Sequence, residues 1–205
     1  MIIKINFYNA GLKFEFIFQN SIMKKLQGKK VAILTENGFE EIEVTNPKQA
    51  LEEAGAEVFI LSPQENTVTA WDSDHWSIKM NVDQNVHDAM IDEYDALFIP
   101  GGVINPDKMR MNEDCISFVK DFFDSGKPLF AICHGPQLLI NAGIVKGRSL
   151  TSYPSIKIDL ENAGAIWVNK EVVVDEGLVT SRSPKDLPAF NKKMIEELME
   201  GVHER

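Results

Sequence analysis

From Lys30 onward, short uninterrupted apolar runs alternate with segments whose apolar residues recur at helical spacing, and turn residues separate them. Residues 31–35, 57–61, 94–99 and the run ending at Ile132 read as strands. Residues 40–54 are helical in composition, with Gly55 as the stop and Pro47 expected to bend or restart the helix. Residues 113–125 form an amphipathic pattern with Ile116, Phe118, Val119, Phe122 and Phe123 turned inward, and Gly126 ends it. Shorter strands are expected at 68–71 and 76–82 around the polar loop 72–75. Further strands are expected at 167–168, 171–174 and 178–180, and helices at 155–163 and 186–199. Strands that are apolar throughout are buried on both faces. The alternation therefore implies an α/β domain whose mostly parallel sheet is covered by helices on both sides. Sites in such folds form at the carboxyl ends of strands, where the segments after Thr35, Ile99 and Ile132 would meet.

The strand ending at Ile132 runs directly into Cys133-His134-Gly135-Pro136, after which helical spacing resumes through Leu139. This is the layout of a nucleophile elbow, a sharp strand-to-helix turn that lifts a reactive side chain out of the sheet. A helix starting near Gly135 and Pro136 aims free N–H groups at the sulfur and favours thiolate, and Pro136 suits a first helical position. The competing reading makes Cys133 a small buried core residue with His134 as its surface neighbour. Neighbours in sequence do not face each other on a helix, so a working thiol–imidazole pair must come from the turn itself, with another group holding the ring.

Bulk properties exclude several classes. The chain has 205 residues, enough for one domain with a sizeable core, and its 44% hydrophobic and 25% charged residues are ordinary for a globular protein. A formal charge of −10 argues against stable nucleic-acid binding and against an anionic membrane surface as partner. Cys115 and Cys133 are the only cysteines, so no disulfide framework is implied, which fits a cytoplasmic protein; Cys115 reads as a core or interface filler. The four histidines, His75, His87, His134 and His203, are scattered, and no Cys/His cluster stands at zinc spacing. Neither a metal nor an organic cofactor is expected. Residues 1–28 read as an N-terminal extension ahead of a domain at 29–205. Alternation in residues 3–7 and 12–16 around Asn9-Ala10-Gly11 suggests a hairpin, but Met23 is the expected start of the protein, and no bilayer-spanning segment or signal peptide is visible.

Three further pieces bear on the elbow. Glu40, after the first core strand, could share a hydrogen bond with Cys133 and tune its ionisation and oxidation, whereas Glu41 and Glu43 read as a solvated acidic helix start. The pair Gly101-Gly102 could leave N–H groups free for an oxyanion, or make a simple turn. Asp107, in the loop after that pair, could orient His134 or cap a helix.

Several stretches in order carry a resemblance. They are Gly38 to Glu43, Phe98 to Gly102, Ala131 to Leu139, Thr151 to Lys157 and Leu178 to Arg182. With them, residues from about 29 to 198 resemble the ThiJ/PfpI superfamily. The nearest branch is PfpI-like, labelled general stress protein, intracellular protease or deglycase, with a type-1 glutamine-amidotransferase-like fold. The resemblance implies a flavodoxin-like three-layer sandwich with Cys133 as nucleophile, His134 after it, and Glu40 as the acidic partner of the cysteine. Asp107 falls where an acid completes the triad from a neighbouring subunit, here one methylene shorter than the family's Glu. Gly102 and His134 match the oxyanion donors, and Gly101, Gly135, His75, Trp76 and Tyr153 are the other candidate substrate-binding residues. A homodimer or higher homo-oligomer is implied.

The function expected on this basis is a cofactor-independent, stress-protective cysteine enzyme acting on methylglyoxal, glyoxal or early glycation adducts. Two alternatives stand beside it: a PfpI-type intracellular cysteine peptidase, and a redox sensor or holdase with little turnover in which Cys133 oxidises to sulfinate.

Overall fold

A computed structural model describes residues 25–204; the expected N-terminal hairpin and the Met23 start lie outside the described residues. Strands β1 (Lys30–Leu34), β3 (Glu57–Ser62), β7 (Ala96–Ile99), β8 (Leu129–Ile132) and β12 (Leu178–Ser181) form the body of one sheet. Edge strands β6 (Gln84–Asn85) and β11 (Val172–Asp175) complete it as a seven-stranded sheet ordered β11-β12-β8-β7-β1-β3-β6. All of its pairings are parallel except β11 with β12. A smaller sheet joins β2 (Phe39–Glu40), β4 (Thr67–Asp72) and β5 (His75–Asn81), and β9 (Ser149–Leu150) pairs with β10 (Ile166–Trp167).

Side chains alternate across each central strand and feed two separate cores. On one face, Ala32, Leu34, Leu97, Ile99, Leu129 and Ala131 pack against helices α3 (Glu113–Asp124) and α4 (Pro136–Asn141), through Phe118, Phe122, Leu138 and Leu139. On the other, Val31, Ile33, Phe98, Phe130 and Ile132 pack against α1 (Glu41–Glu53) and α6 (Leu187–Glu200), through Val44, Leu51, Phe190 and Met194. Coverage of both faces explains why β7 and β8 are apolar at every position. Two helices are short: α2 (Ile104–Met109) and α5 (Lys157–Asn162). No helix among the described residues is long and apolar enough to cross a membrane.

Two expectations need correction here. Pro47 lies inside α1 without dividing it, because the helix is held by its buried face of Glu43, Val44, Pro47 and Leu51. Asp107 is in neither a loop nor a cap: it lies within α2, exposed, while Asn105 and Pro106 of the same turn are buried.

After β1 the chain moves to β3 on one side of the sheet and later returns to β7 on the other, so the ends of β1, β7 and β8 open a crevice at the topological switch. Asn105, fully buried, holds its rim together. Its Oδ1 accepts from the Glu36 N–H at 2.7 Å and the Thr35 hydroxyl at 3.2 Å, and its Nδ2 donates to the carbonyls of Pro100 and Gly101, each at 3.0 Å. Replacing Asn105 with Ala leaves these buried groups unpaired. The expected loss is about 2–3 kcal/mol in urea denaturation, and a change under about 0.5 kcal/mol would show that the amide does not bind the rim.

Candidate active site

Cys133 follows β8 directly and takes a left-handed backbone, φ 60, which a non-glycine residue adopts only when its surroundings enforce it. The enforcing contacts are local. The Cys133 N–H donates to the Ser181 carbonyl at 3.0 Å, the Cys133 carbonyl accepts from the Tyr153 N–H at 2.8 Å, and the Gly135 N–H closes the turn onto Ile132 at 2.8 Å. Helix α4 starts at Pro136, as its missing N–H allows. The turn brings His134 Nδ1 within 3.3 Å of Cys133 Sγ. The far nitrogen of the ring, Nε2, lies 3.0 Å from the Ser155 hydroxyl, and Tyr153 stacks on the ring at 4.8 Å between centroids. Burial lowers the His134 pKa, so the imidazole is neutral near neutral pH.

The carboxyl beside the thiol belongs to Glu43, a correction to the expectation for Glu40. Glu43 is fully buried, hydrogen-bonds with Cys133, and accepts the Gly101 N–H on Oε2 at 3.0 Å; its Oε1 has no further partner. The reason is helical phase. Glu43, Pro47 and Leu51 follow one another a turn apart on the buried face of α1, whereas Glu40 precedes the helix on extended backbone and lies half-buried in the cavity wall. Burial, then the Asp72 and Glu41 charges, raise the Glu40 pKa. Burial above all raises that of Glu43 to about 8, with donation from Gly101 and Gly102 opposing.

Cys133 responds in kind. Burial, then the Glu43 charge, push its thiol well above the ordinary range, against the N–H groups of Gly102 and His134, which favour thiolate. The expected thiolate stabilisation by the helix start is thus outweighed by burial and by the Glu43 charge. Two anions sharing this enclosure repel each other, so the pair titrates as a unit, and protonation of Glu43 removes the charge that opposes thiolate.

The cavity above the sulfur is about 700 Å³, and its walls include Glu40, Glu43, Trp71, Ser73, Gly102, Cys133, His134, Tyr153 and Ser155. Gly102 is required where it stands: its φ is 80, and a Cβ would meet the Gly38 carbonyl at 2.5 Å. Other candidates land elsewhere. The N–H groups of Gly101 and Gly135 are already engaged, with Glu43 and Ile132, so neither is free for an oxyanion. His75 and Trp76 are exposed on β5, outside the cavity wall; Trp71 lines it instead, with Trp76 packed edge-on against it at 5.3 Å. The register pairs the two tryptophans directly across β4 and β5, so they share a face, and Trp71 is the one that reaches the cavity wall. Asp107 is exposed on α2, and the ring partners of His134 in this chain are Cys133 and Ser155.

Glu43 holds its proton up to about pH 8 in the folded protein, against an ordinary value of 4.5. The folded state binds the extra proton in that window, so this contribution is full below about pH 4.5 and is lost as pH rises through about 8. Urea denaturation at pH values across the window should therefore show wild-type stability falling relative to Glu43→Gln as pH rises. Parallel curves for the two proteins would contradict the raised value.

Over 169 residues the chain is 44% identical to general stress protein 18 of Bacillus subtilis (strain 168), covering 82% of this chain and 96% of that protein. It is 44% identical over 168 residues to protein/nucleic acid deglycase 2 of Escherichia coli (strain K12), again covering 82% and 96%. Among solved structures, a two-domain protein of Anabaena variabilis with DJ-1/ThiJ/PfpI-like and ferritin-like domains matches with a TM-score of 0.77 and 37% identity. The match covers 83% of this chain and 48% of that one, so the chain spans about half of it. Residues 29–197 match the DJ-1/PfpI family throughout, and with that extent of agreement in sequence and fold the chain belongs to the DJ-1/PfpI family.

Proposed function

We propose that this protein is a cysteine-dependent enzyme that converts small reactive carbonyls, of glyoxalase or deglycase type, with Cys133 as nucleophile. The observation that carries the reading is the buried Cys133–Glu43 pair at an open cavity, with two N–H groups, those of Gly102 and His134, turned to the sulfur. A thiolate held this way adds to the aldehyde carbon of methylglyoxal, and the carbonyl oxygen takes the proton of Glu43 to give a hemithioacetal. The Glu43 carboxylate, or neutral His134, then removes the C1 hydrogen. The C1 and O1 protons end on C2 and O2, leaving a thioester of lactate on Cys133. Water attacks the thioester, lactate leaves, and the thiol–carboxyl pair regains its proton. The N–H groups of Gly102 and His134 support the developing oxyanions, and Tyr153 and Ser155 hold the imidazole.

The substrate class agrees with the name of the Escherichia coli relative, a protein/nucleic acid deglycase. Free dicarbonyls and their early adducts on proteins fit the acidic surface of this chain. Its charge of −10 disfavours long contact with a phosphate backbone. A peptidase relay would need an acid on the far side of His134, where this chain offers the Ser155 hydroxyl, so that acid would have to come from a neighbouring subunit.

Lactate release from methylglyoxal tests this. Steady multi-turnover release is expected from the full chain. Cys133→Ser should lower it by roughly 10³-fold or more, and Glu43→Gln by roughly 10²–10⁴-fold. Release that survives Cys133→Ser would overturn the assignment of the nucleophile. Absence of release together with Cys133-dependent peptide cleavage would replace the reading with the peptidase one.

A further inference from the structure

At the far end of α6 a second group of side chains converges, remote in sequence from Cys133. Gly201 ends the helix with φ 87 and turns the chain back. The His203 N–H then donates to the Gly126 carbonyl at 2.8 Å, and the His203 carbonyl occupies the space where a Cβ of Gly126 would stand. His203 is thereby pinned beside Glu197 and Glu200, which lie six and three residues before it, and one potential ligand atom from each of the three lies within 4.8 Å of the others.

Two observations favour a cation at this group. Glu197 is only 5% exposed and accepts no hydrogen bond from any described residue. It sits in the last turn of a helix that has no basic residue there, where the carbonyl end adds partial negative charge. Lys192 and Lys193 of the same helix pair with Glu196 instead. Facing Glu197 Oε2 at 3.3 Å, within ion-pair distance, is His203 Nε2, a buried atom with no hydrogen-bond partner, so the two are close without being aligned as donor and acceptor. A separation of this size is the edge of a tetrahedron, about 3.3–3.4 Å, whose corners lie about 2.0–2.1 Å from a central ion, the Zn–N and Zn–O distances.

We propose that Glu197, Glu200 and His203 form a divalent transition-metal site, best suited to Zn²⁺, that clamps the C-terminal segment onto the turn at Gly126. Two carboxylates and one imidazole are a donor set that Zn²⁺ accepts, and a fourth position remains for water. The site is independent of the proposed carbonyl chemistry, and its loss would leave the Cys133 cleft intact.

The test is titration of Zn²⁺ alone into the full chain carrying Cys133→Ser, which removes the active-site thiol as a competing ligand, read by calorimetry and thermal melting. One equivalent should bind and raise the melting temperature. His203→Ala and Glu200→Gln, both outside the core, should each weaken binding about tenfold or more and abolish the rise. Glu197→Gln should do the same if it folds. Absence of uptake, or uptake that His203→Ala and Glu200→Gln leave unchanged, would overturn the site. Uptake by wild type that Cys133→Ser alone removes would place the metal at the active-site thiol and overturn it equally.

Discussion

A thiol and a carboxyl enclosed together cannot both be ionised, and most of what surrounds Cys133 follows from that constraint. Glu43 comes from the interior face of α1, and the thiol comes from a turn at the end of β8 held at positive φ. Burial raises both pKa values and the Glu43 charge raises that of Cys133 further, so Glu43 keeps its proton at pH values where an isolated glutamate would have lost it. In the proposed chemistry, a proton on Glu43 lets the sulfur carry charge beside the N–H groups of Gly102 and His134, and it passes to a substrate oxygen when the sulfur adds.

The fold supplies the constraint through a few fixed contacts. Parallel strands β1, β7 and β8 end at one edge, and the switch of direction between β1 and β7 keeps that edge open. Asn105 ties the segments after β1 and β7, and Gly101 lies between the Glu43 carboxyl and Cys133, where a side chain would collide with both. On the open side, Tyr153 and Ser155 hold His134, and the β4–β5 hairpin supplies Trp71 as a wall. The deep half of the site is thus set by the sheet and α1, and the outer half by loops.

The sheet was legible in the sequence because strands buried on both faces are apolar throughout, as in β7 and β8, and because turn residues follow them. The strand–turn–helix around Cys133 was legible for the same reason, with Pro136 marking the helix start. Glu43 was misread as a solvated helix start, although its spacing to Pro47 and Leu51 places it on the buried stripe; reading helical phase rather than nearness to the strand would have found it. Trp71 and Trp76 could not be told apart, since they sit opposite each other on one face and which of them reaches the cavity depends on packing against distant segments. Ser155 and Asn105 gave no signal, being small polar residues whose partners come from other parts of the chain. The Glu197–Glu200–His203 group carries no Cys/His spacing signature, and only the reversal at Gly201 brings it together.

The most direct test of the central claim is an infrared difference spectrum between wild type and Glu43→Gln, taken at about pH 6, above the ordinary carboxylate range and below the Glu43 value of about 8. The account predicts a C=O stretch of a protonated, buried carboxylic acid in wild type that is missing from the variant and fades as pH rises through about 8. A spectrum showing only the carboxylate bands of an ionised Glu43 at that pH would contradict the shared proton and the chemistry built on it.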